Sequence, residues 1–360
     1  MDITEERDAF AERLFGSMLG AVDVFTLYLG ERLGLYAPLR DGGPMTPGQL
    51  ASAAGTDERY TREWLEQQAV SEILAVDDPS AAAGVRRYSL PAGHAEVLLD
   101  KDSLAFLSPI ARIFMSTAAV MPQLLRAFRD GGGVDWGEYG ADATEGQADQ
   151  NRPVFLGMLG SEWLPQIEDV HARLQAEPAA RVLDVGCGAG WAAVGIARSY
   201  PAVAVDGIDL DAAAIEMGRE SIGSLGLGDR IHLHAGDAAE AGLDPGYDLI
   251  TMFEMVHDLS FPVEVLSTAR KLLAEDGSVL VMDEKVAPEF TAPGDDLERL
   301  FYGFSVLCCL PTAMVAEGAA GTGTMMRPDV LRGYAEAADF SRFEILPIDH
   351  DFFRFYRLRP

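Results

Sequence analysis

The segment Arg181-Val-Leu-Asp-Val-Gly-Cys-Gly-Ala-Gly190 constrains the fold of this chain more than any other part of it. Its first half is apolar and β-branched, which predicts a buried strand. Glycines at 186, 188 and 190 then allow the backbone to turn tightly and to approach a ligand. A strand that passes through such a loop into a helix is typical of nucleotide-type sites at the carboxyl end of a parallel sheet.

Asp184, Asp209 and Trp191 limit the class of ligand that the glycine loop can bind. Asp209 ends the next predicted strand, where a carboxylate can accept hydrogen bonds from both hydroxyls of a ribose. A dinucleotide site would have a further glycine at position 191, but Trp191 stands there. Asp184 would repel a pyrophosphate, yet it can bind an ammonium group. We therefore predict a site for S-adenosylmethionine, with a nicotinamide or flavin site and a ligand-free glycine turn as the alternatives.

The chain from residue 177 to residue 360 alternates strands with helices, which indicates a parallel sheet with helices on both faces. The fold class predicted is therefore α/β, Rossmann-like, with a seven-stranded sheet that ends in an antiparallel hairpin. Asp349-His350-Asp351 is the predicted turn of that hairpin. The predicted strands are Val182–Val185, Val203–Ile208, Ile231–Ala235, Tyr247–Met252, Ser278–Met282, Phe343–Ile348 and Phe352–Leu358.

Residues 1–100 read as a mainly α-helical winged-helix domain. Residues 10–36 are apolar at helical spacing, Thr46 and Pro47 begin a second helix, and a third is predicted over 57–74 before a short strand at 86–90. Residues 101–176 form a connecting segment, with helices near 103–129 and 151–176. The Gly-, Asp- and Ala-rich stretch 131–150 between them is predicted to be a flexible surface segment or lid hinge.

Charge and composition exclude several classes of protein. The formal net charge is −29, which repels both nucleic acid and anionic membrane surfaces. The predicted third helix has five acids against Arg59 and Arg62, the opposite of a phosphate-binding helix. Three cysteines make no disulfide framework, no Cys/His spacing suggests a metal, and we identify neither a signal peptide nor an uncharged apolar span. We expect a cytoplasmic protein that contacts neither membrane nor nucleic acid.

Residues 181–285 resemble the core of the class I methyltransferases, whose Asp-x-Gly-x-Gly-x-Gly signature is matched from Asp184 to Gly190. The resemblance implies that this loop holds S-adenosylmethionine and, after reaction, S-adenosylhomocysteine. It further implies that Asp209 binds the ribose and that Asp237 receives the adenine amino group. The complete set of cofactor-binding residues predicted is Asp184, Gly186, Cys187, Gly188, Gly190, Asp209, Leu210, Gly236, Asp237, Ala238, Phe253 and Glu254.

His257 is the candidate general base, because it follows the fourth strand at the end of the sheet where the methyl donor would lie. A structural loop histidine is the alternative. The winged helix joined to this core resembles the dimeric small-molecule O-methyltransferases and an actinobacterial group of winged-helix methyltransferases. In the former, a His-Asp-Trp sequence carries the base; His257-Asp258-Leu259 occupies its place, with Leu259 instead of the Trp. A supporting Glu stands four residues before a proline in that family, a spacing matched by Glu284 and Pro288. Their second supporting Glu has no match in 321–327.

The function predicted is therefore methylation of a small molecule, at oxygen, with His257 and Glu284 as catalytic residues. The resemblance implies that the N-terminal domain makes the protein a homodimer. Two alternatives remain: a winged-helix transcriptional regulator that binds S-adenosylmethionine, and a non-methylating enzyme on the same fold.

Overall fold

The structure, a computed structural model, describes residues 2–240 and 242–360. The chain divides into two compact units, Met1–Met115 and Ser116–Pro360. The first unit contains α1 (Ile3–Arg32), α2 (Tyr36–Asp41), α3 (Pro47–Ala54), α4 (Glu58–Val70), β1 (Ala75–Val76), β2 (Tyr88–Ser89) and α5 (Ala92–Leu99). Helix α6 (Pro109–Ala119) begins before residue 115 and ends after it.

Local capping explains why α3 and α4 begin where they do. The Thr46 side chain accepts from the backbone N–H of Gln49 and Pro47 is the first helical residue, as predicted. The Asp57 side chain caps α4 by accepting from the backbone N–H groups of Arg59 and Tyr60. The predicted strand at 86–90 shortens to β2, which pairs antiparallel with β1. The helices and this small wing share a core that includes Leu50, Leu65 and Tyr88.

Helix α1 is 30 residues long, and Gly30 is its one buried residue among those described. By length and composition alone it could cross a membrane. The apolar run is not free of charge, because Asp23 lies within it. Asp23 accepts hydrogen bonds from Gln67 of α4 and from Ser71, the residue that follows α4, and Trp64 of α4 donates to the Thr26 carbonyl. Helix α1 is thus attached to the first unit by polar contacts.

The second unit begins with helices and continues into the sheet. Its elements are α7 (Met121–Asp130), α8 (Ala141–Val154), a π-helical segment (Phe155–Trp163), α9 (Glu168–Gln175), β3 (Arg181–Val185), α10 (Trp191–Ser199), β4 (Ala204–Asp209), α11 (Ala212–Ser224), β5 (Ile231–Ala235), β6 (Tyr247–Phe253), α12 (Pro262–Leu272), β7 (Leu273–Glu284), α13 (Asp296–Phe304), a second π-helical segment (Ser305–Cys309), α14 (Leu310–Ala313), α15 (Pro328–Ala337), β8 (Arg342–Ile345) and β9 (Phe353–Arg359). Short 3₁₀ turns lie at Trp136–Tyr139, Leu164–Gln166, Ala238–Glu240 and Val256–Asp258.

The sheet has seven strands in the order β5-β4-β3-β6-β7-β9-β8. Strands β3 to β7 are parallel, and β9 pairs antiparallel with both β7 and β8. This confirms the predicted α/β class with its terminal hairpin. The order reverses between β3 and β6, so the carboxyl ends of these strands border the crevice where such folds bind ligands. Apolar cores cover both faces of the sheet.

The stretch 131–150, predicted to be a flexible surface segment or lid hinge, contains more regular structure than its composition indicates. It contains the 3₁₀ turn Trp136–Tyr139 and most of α8, and Val134, Tyr139 and Ala143 are buried in a core shared with Cys308. Trp136 and Thr144 also donate to the carboxylate of Asp211, at 2.8 and 2.7 Å. Tertiary contacts therefore order a segment whose composition resembles a loop.

Candidate active site

The glycine loop after β3 has the backbone shape that its sequence requires. Gly186, Gly188 and Gly190 have φ angles of +68°, +50° and +75°, in the left-handed region that favours glycine. A Cβ atom at Gly186 would also lie 2.7 Å from Cγ of Met255. Cys187 is buried, and its Sγ would be 2.9 Å from a Cβ added to Gly207 of β4. Its side chain therefore lies against the sheet, and only its backbone is available to a ligand in the loop.

Asp184 is 2% exposed at the end of β3. Its Oδ1 accepts from the Thr251 hydroxyl at 2.7 Å, while its Oδ2 is buried without a hydrogen-bond partner among the described residues. Burial raises the pKa of this carboxyl to about 7, against the lowering effect of the Thr251 hydrogen bond. A buried acceptor with a free oxygen suits a cationic group such as the ammonium of S-adenosylmethionine.

Asp209 at the end of β4 links the loop to the next turn. Its two carboxylate oxygens accept from the backbone N–H groups of Gly188 and Asp211, at 2.7 and 2.8 Å. Burial raises the pKa of Asp209, while those two bonds lower it. Because each carboxylate oxygen has a second lone pair, Asp209 can still accept from ribose hydroxyls. Leu210 follows it with 72% of its surface exposed, a free apolar flank for a flat ring.

The loop after β5 lies beside Asp209, since Gly236 donates to the Asp209 carbonyl at 2.9 Å. Asp237 is exposed and accepts from the N–H of Ala239, which caps the short turn that begins at Ala238. Its second oxygen is available to a donor such as an adenine amino group. The structure therefore brings together the loops after β3, β4 and β5 that the sequence assigned to the cofactor.

Phe253 and Glu254 end β6. The Phe253 ring is buried and stacks on Phe155, with centroids 5.6 Å apart. Glu254 has a φ of +52°, which is strained for a side chain with a Cβ. Its N–H donates to Met282, which holds it against β7. Burial raises the pKa of Glu254 to about 7, an effect that His257 opposes.

His257 lies in the 3₁₀ turn after β6 and is 2% exposed. Its Nδ1 is 2.9 Å from Oδ1 of Asp283 and 3.3 Å from Oε2 of Glu284, the last two residues of β7. Its Nε2 is 3.4 Å from Oδ1 of Asp258. Burial lowers the pKa of His257, but these three carboxylates outweigh it and raise that pKa well above its ordinary value.

Cys309 also faces His257, from the second π-helical segment. A hydrogen bond with the neighbouring Cys308, together with burial, raises the pKa of the Cys309 thiol. Two sets of three ligand atoms around His257 lie within 4.8 Å of one another: one adds Asp258 and Cys309, and the other adds Asp283 and Glu284. Either could chelate a divalent ion by distance alone, a possibility that the sequence did not indicate.

Sequence reasoning missed Asp283 and Asp211. Asp283 is completely buried and makes the shorter contact with the His257 ring, yet only Glu284 was named. The signal available was the pair of consecutive acids at the end of a strand. His350, in the predicted hairpin turn, accepts from the N–H groups of Phe352 and Phe353, so its ring has a structural role.

Comparisons with known proteins agree with this architecture. Residues 176–302 match a family described as a methyltransferase domain, and residues 21–99 match an Rv2258c-like winged HTH domain. The fold and the matched family define the class: a class I, S-adenosylmethionine-dependent methyltransferase domain. The chain contains that domain together with the N-terminal winged HTH domain.

Three relatives illustrate the likeness. The mitomycin 7-O-methyltransferase MmcR superposes with a TM-score of 0.71 at 21% identity, over 99% of both chains. Human N-acetylserotonin methyltransferase, in complex with S-adenosylmethionine, gives 0.69 at 16% identity, over 97% of both. The polyketide synthase ThaQ of Burkholderia thailandensis is 27% identical over 37% of this chain. The chain spans only 6% of ThaQ and 29% of a further group of curated relatives.

Proposed function

We propose that this protein transfers a methyl group from S-adenosylmethionine to an oxygen atom of a small molecule, with His257 as the general base. The observation that supports this most is the His257 ring itself. It is buried at the carboxyl end of β6, and Asp283 and Glu284 lie within 3.3 Å of its Nδ1. That arrangement orients an imidazole so that its other nitrogen can remove a proton.

S-adenosylmethionine supplies an activated methyl group, so the protein mainly has to align and deprotonate the acceptor. Asp184 and Asp209 provide oxygen acceptors for its ammonium and ribose, and the loop around Gly186 provides room for it. His257 would take the acceptor proton at Nε2. Because nearby carboxylates raise the pKa of His257, its neutral form becomes more abundant at alkaline pH, and activity should rise with pH through that range.

The test is methyl transfer with radiolabelled S-adenosylmethionine, offered with a panel of phenols, catechols and anilines. We expect label on the phenolic acceptors, and a loss of about 10²–10⁴-fold in rate for His257→Ala. Calorimetric affinity for S-adenosylmethionine should stay unchanged in that variant. An unchanged rate in His257→Ala at saturating acceptor would refute the role of the base. Label on anilines alone would refute O-methylation, and acceptor turnover without label would indicate the non-methylating enzyme.

We further propose that the protein is a cytoplasmic homodimer built through α1. Large apolar side chains on this helix are exposed, among them Phe10, Phe15, Met18 and Leu19, each more than half accessible. An apolar surface of that length in a chain with a methyltransferase domain favours a second copy as its partner. Light scattering should give twice the chain mass, and Phe15→Glu should give the chain mass. A monomeric wild-type protein would exclude the dimer.

A regulator that binds DNA is the second candidate, because residues 21–99 match a winged HTH domain. The charges oppose it. Arg59 on α4 is paired with Glu63 at 2.5 Å, and Arg86 beside the wing is paired with Glu66 at 2.8 Å. Arg87 donates to the Pro44 carbonyl. Gel shifts over random duplexes at low salt should show no retardation, and a salt-dependent shift would favour the regulator.

A further inference from the structure

We propose that Asp283, rather than Glu284, is the residue that positions His257. This inference rests on the proposed role of His257 as a base. Asp283 would hold the Nδ1–H tautomer, which leaves the Nε2 lone pair for an acceptor hydroxyl. The two acids are consecutive on β7, so the choice between them depends on distance, burial and how firmly each is held.

Asp283 has the better geometry. Its Oδ1 is 2.9 Å from Nδ1 of His257, within hydrogen-bond range, whereas Oε2 of Glu284 is 3.3 Å away and makes no hydrogen bond there. The same Oδ1 accepts from the N–H of Glu284 at 3.1 Å, which fixes the carboxylate plane. Asp283 thus accepts from the imidazole through an oxygen that the backbone already orients.

Asp283 is also the more deeply buried of the two acids. Strand pairing holds both of them, because Asp283 pairs with Arg354 of β9 and Glu284 pairs with Phe353. The Asp283 side chain is completely buried, and that of Glu284 is 13% exposed on a longer arm. A short side chain on a central strand loses less entropy when it holds one orientation than a longer one at the strand end.

The titratable groups around His257 come from several elements. Burial raises the pKa of Glu284 well above its ordinary value, an effect that His257 opposes. The other groups that face His257 are Asp258 near Nε2, Cys309 from the second π-helical segment, and Glu254 at the end of β6.

The segment 321–327 contributes backbone instead of a carboxylate. Gly323 donates its N–H to the His257 carbonyl at 3.0 Å, and its φ is +67°. A Cβ there would be 2.6 Å from Oγ of Ser305, so the chain passes close to the site without room for a side chain. The carboxylate that lies nearest to Nδ1 of His257 therefore comes from β7.

The test is nitrogen NMR of protein labelled with ¹⁵N-histidine, which needs no acceptor and so is independent of the proposed methyl transfer. The chain has six histidines, and His257→Gln identifies the signals of His257 by their loss. In the wild type we expect the neutral ring to be protonated at Nδ1. Asp283→Asn should lower the titration midpoint of His257 by about one pH unit or more and redistribute the tautomers. Glu284→Gln should shift the midpoint less, and Asp283→Glu should restore most of it.

The results that would overturn the proposal are equally specific. A wild-type ring protonated at Nε2 would do so, as would a larger shift in Glu284→Gln than in Asp283→Asn. Signals of His257 that change when a chelator is added would assign these carboxylates to a metal ion instead. If Asp283→Asn does not fold, the wild-type tautomer and Asp283→Glu still decide the question. With an acceptor in hand, Asp283→Asn should lower kcat by about 10²–10⁴-fold while KM for S-adenosylmethionine stays unchanged.

Discussion

Replacing Asp184 with Asn should change how the stability of the ligand-free protein depends on pH. Asp184 is buried at the end of β3, and burial raises its pKa to about 7 from an ordinary value of 3.8. The folded protein therefore binds a proton there that the unfolded chain has released over the intervening pH range. Because the folded state binds the extra proton, its stability falls as the pH rises from about 4 to 7 and is then constant.

The size of the effect follows from that difference in pKa. About three pH units at 1.36 kcal/mol each correspond to about 4 kcal/mol over the full range. Between pH 5 and pH 7, where most other carboxylates of the chain are already ionised, the share is about 2 kcal/mol. Asn at position 184 carries no titrating proton, so the variant should lack this slope. It can still accept from the Thr251 hydroxyl.

The assay is guanidinium unfolding of the ligand-free wild type and Asp184→Asn at pH 5, 6, 7 and 8, followed by tryptophan fluorescence. We expect the wild type to lose about 2 kcal/mol relative to the variant between pH 5 and pH 7, and only a few tenths of a kcal/mol more by pH 8. Glu220→Gln, which removes an exposed carboxylate of α11, is the control and should run parallel to the wild type. A difference between wild type and Asp184→Asn that is constant over this range would refute the reasoning.

Two further predictions concern the same end of the sheet. In Gly186→Ala, the backbone keeps a positive φ and the new Cβ lies 2.7 Å from the Met255 side chain. This variant should therefore be less stable by about 2–4 kcal/mol, and calorimetry should detect no binding of S-adenosylmethionine. Gly188→Ala has open space around its Cβ, and it should cost about 1–2 kcal/mol; equal losses would contradict the steric argument. Asp211→Ala removes the acceptor of Trp136 and Thr144, so limited proteolysis should cut within 131–150 faster than in the wild type, and an unchanged cleavage map would disprove the anchoring.

The strands of the sheet could be predicted because each is a short apolar run that ends at a turn residue. The segment Ile231–Ala235 was predicted with its observed bounds, β3 and β6 differ by one residue at one end, and β4 differs by one residue at each end. Strand β7 was underestimated, since Leu273–Glu284 begins with Leu-Ala-Glu-Asp-Gly, which carries no strand signal. Its first residues pair with β6 through an irregular register, which only the tertiary structure specifies.

The loop residues of the candidate site could be predicted from the sequence, whereas the contacts that depend on side-chain length could not. Loop residues such as Gly186 and Asp209 follow from local patterns, because the ends of parallel strands meet at one edge. Alternation along a strand would place only one of Asp283 and Glu284 towards His257. Both reach the ring at the strand end, at 2.9 and 3.3 Å, which no linear pattern indicates. The contacts of Asp211 connect residues 67 and 75 positions apart, beyond the reach of any local pattern.

The carboxylate of Asp211 has a consequence for how cofactor binding could be observed. The Asp211 carboxylate accepts a hydrogen bond from the indole N–H of Trp136, and the backbone N–H of Asp211 donates to the carboxylate of Asp209, the predicted ribose ligand. The indole is therefore two hydrogen bonds from the cofactor site, through one residue. Any rearrangement of Asp209 on ligand binding changes the polarity around Trp136, which makes this side chain an intrinsic fluorescent reporter. A protein that retains Trp136 as its only tryptophan would signal occupancy without a label or an acceptor.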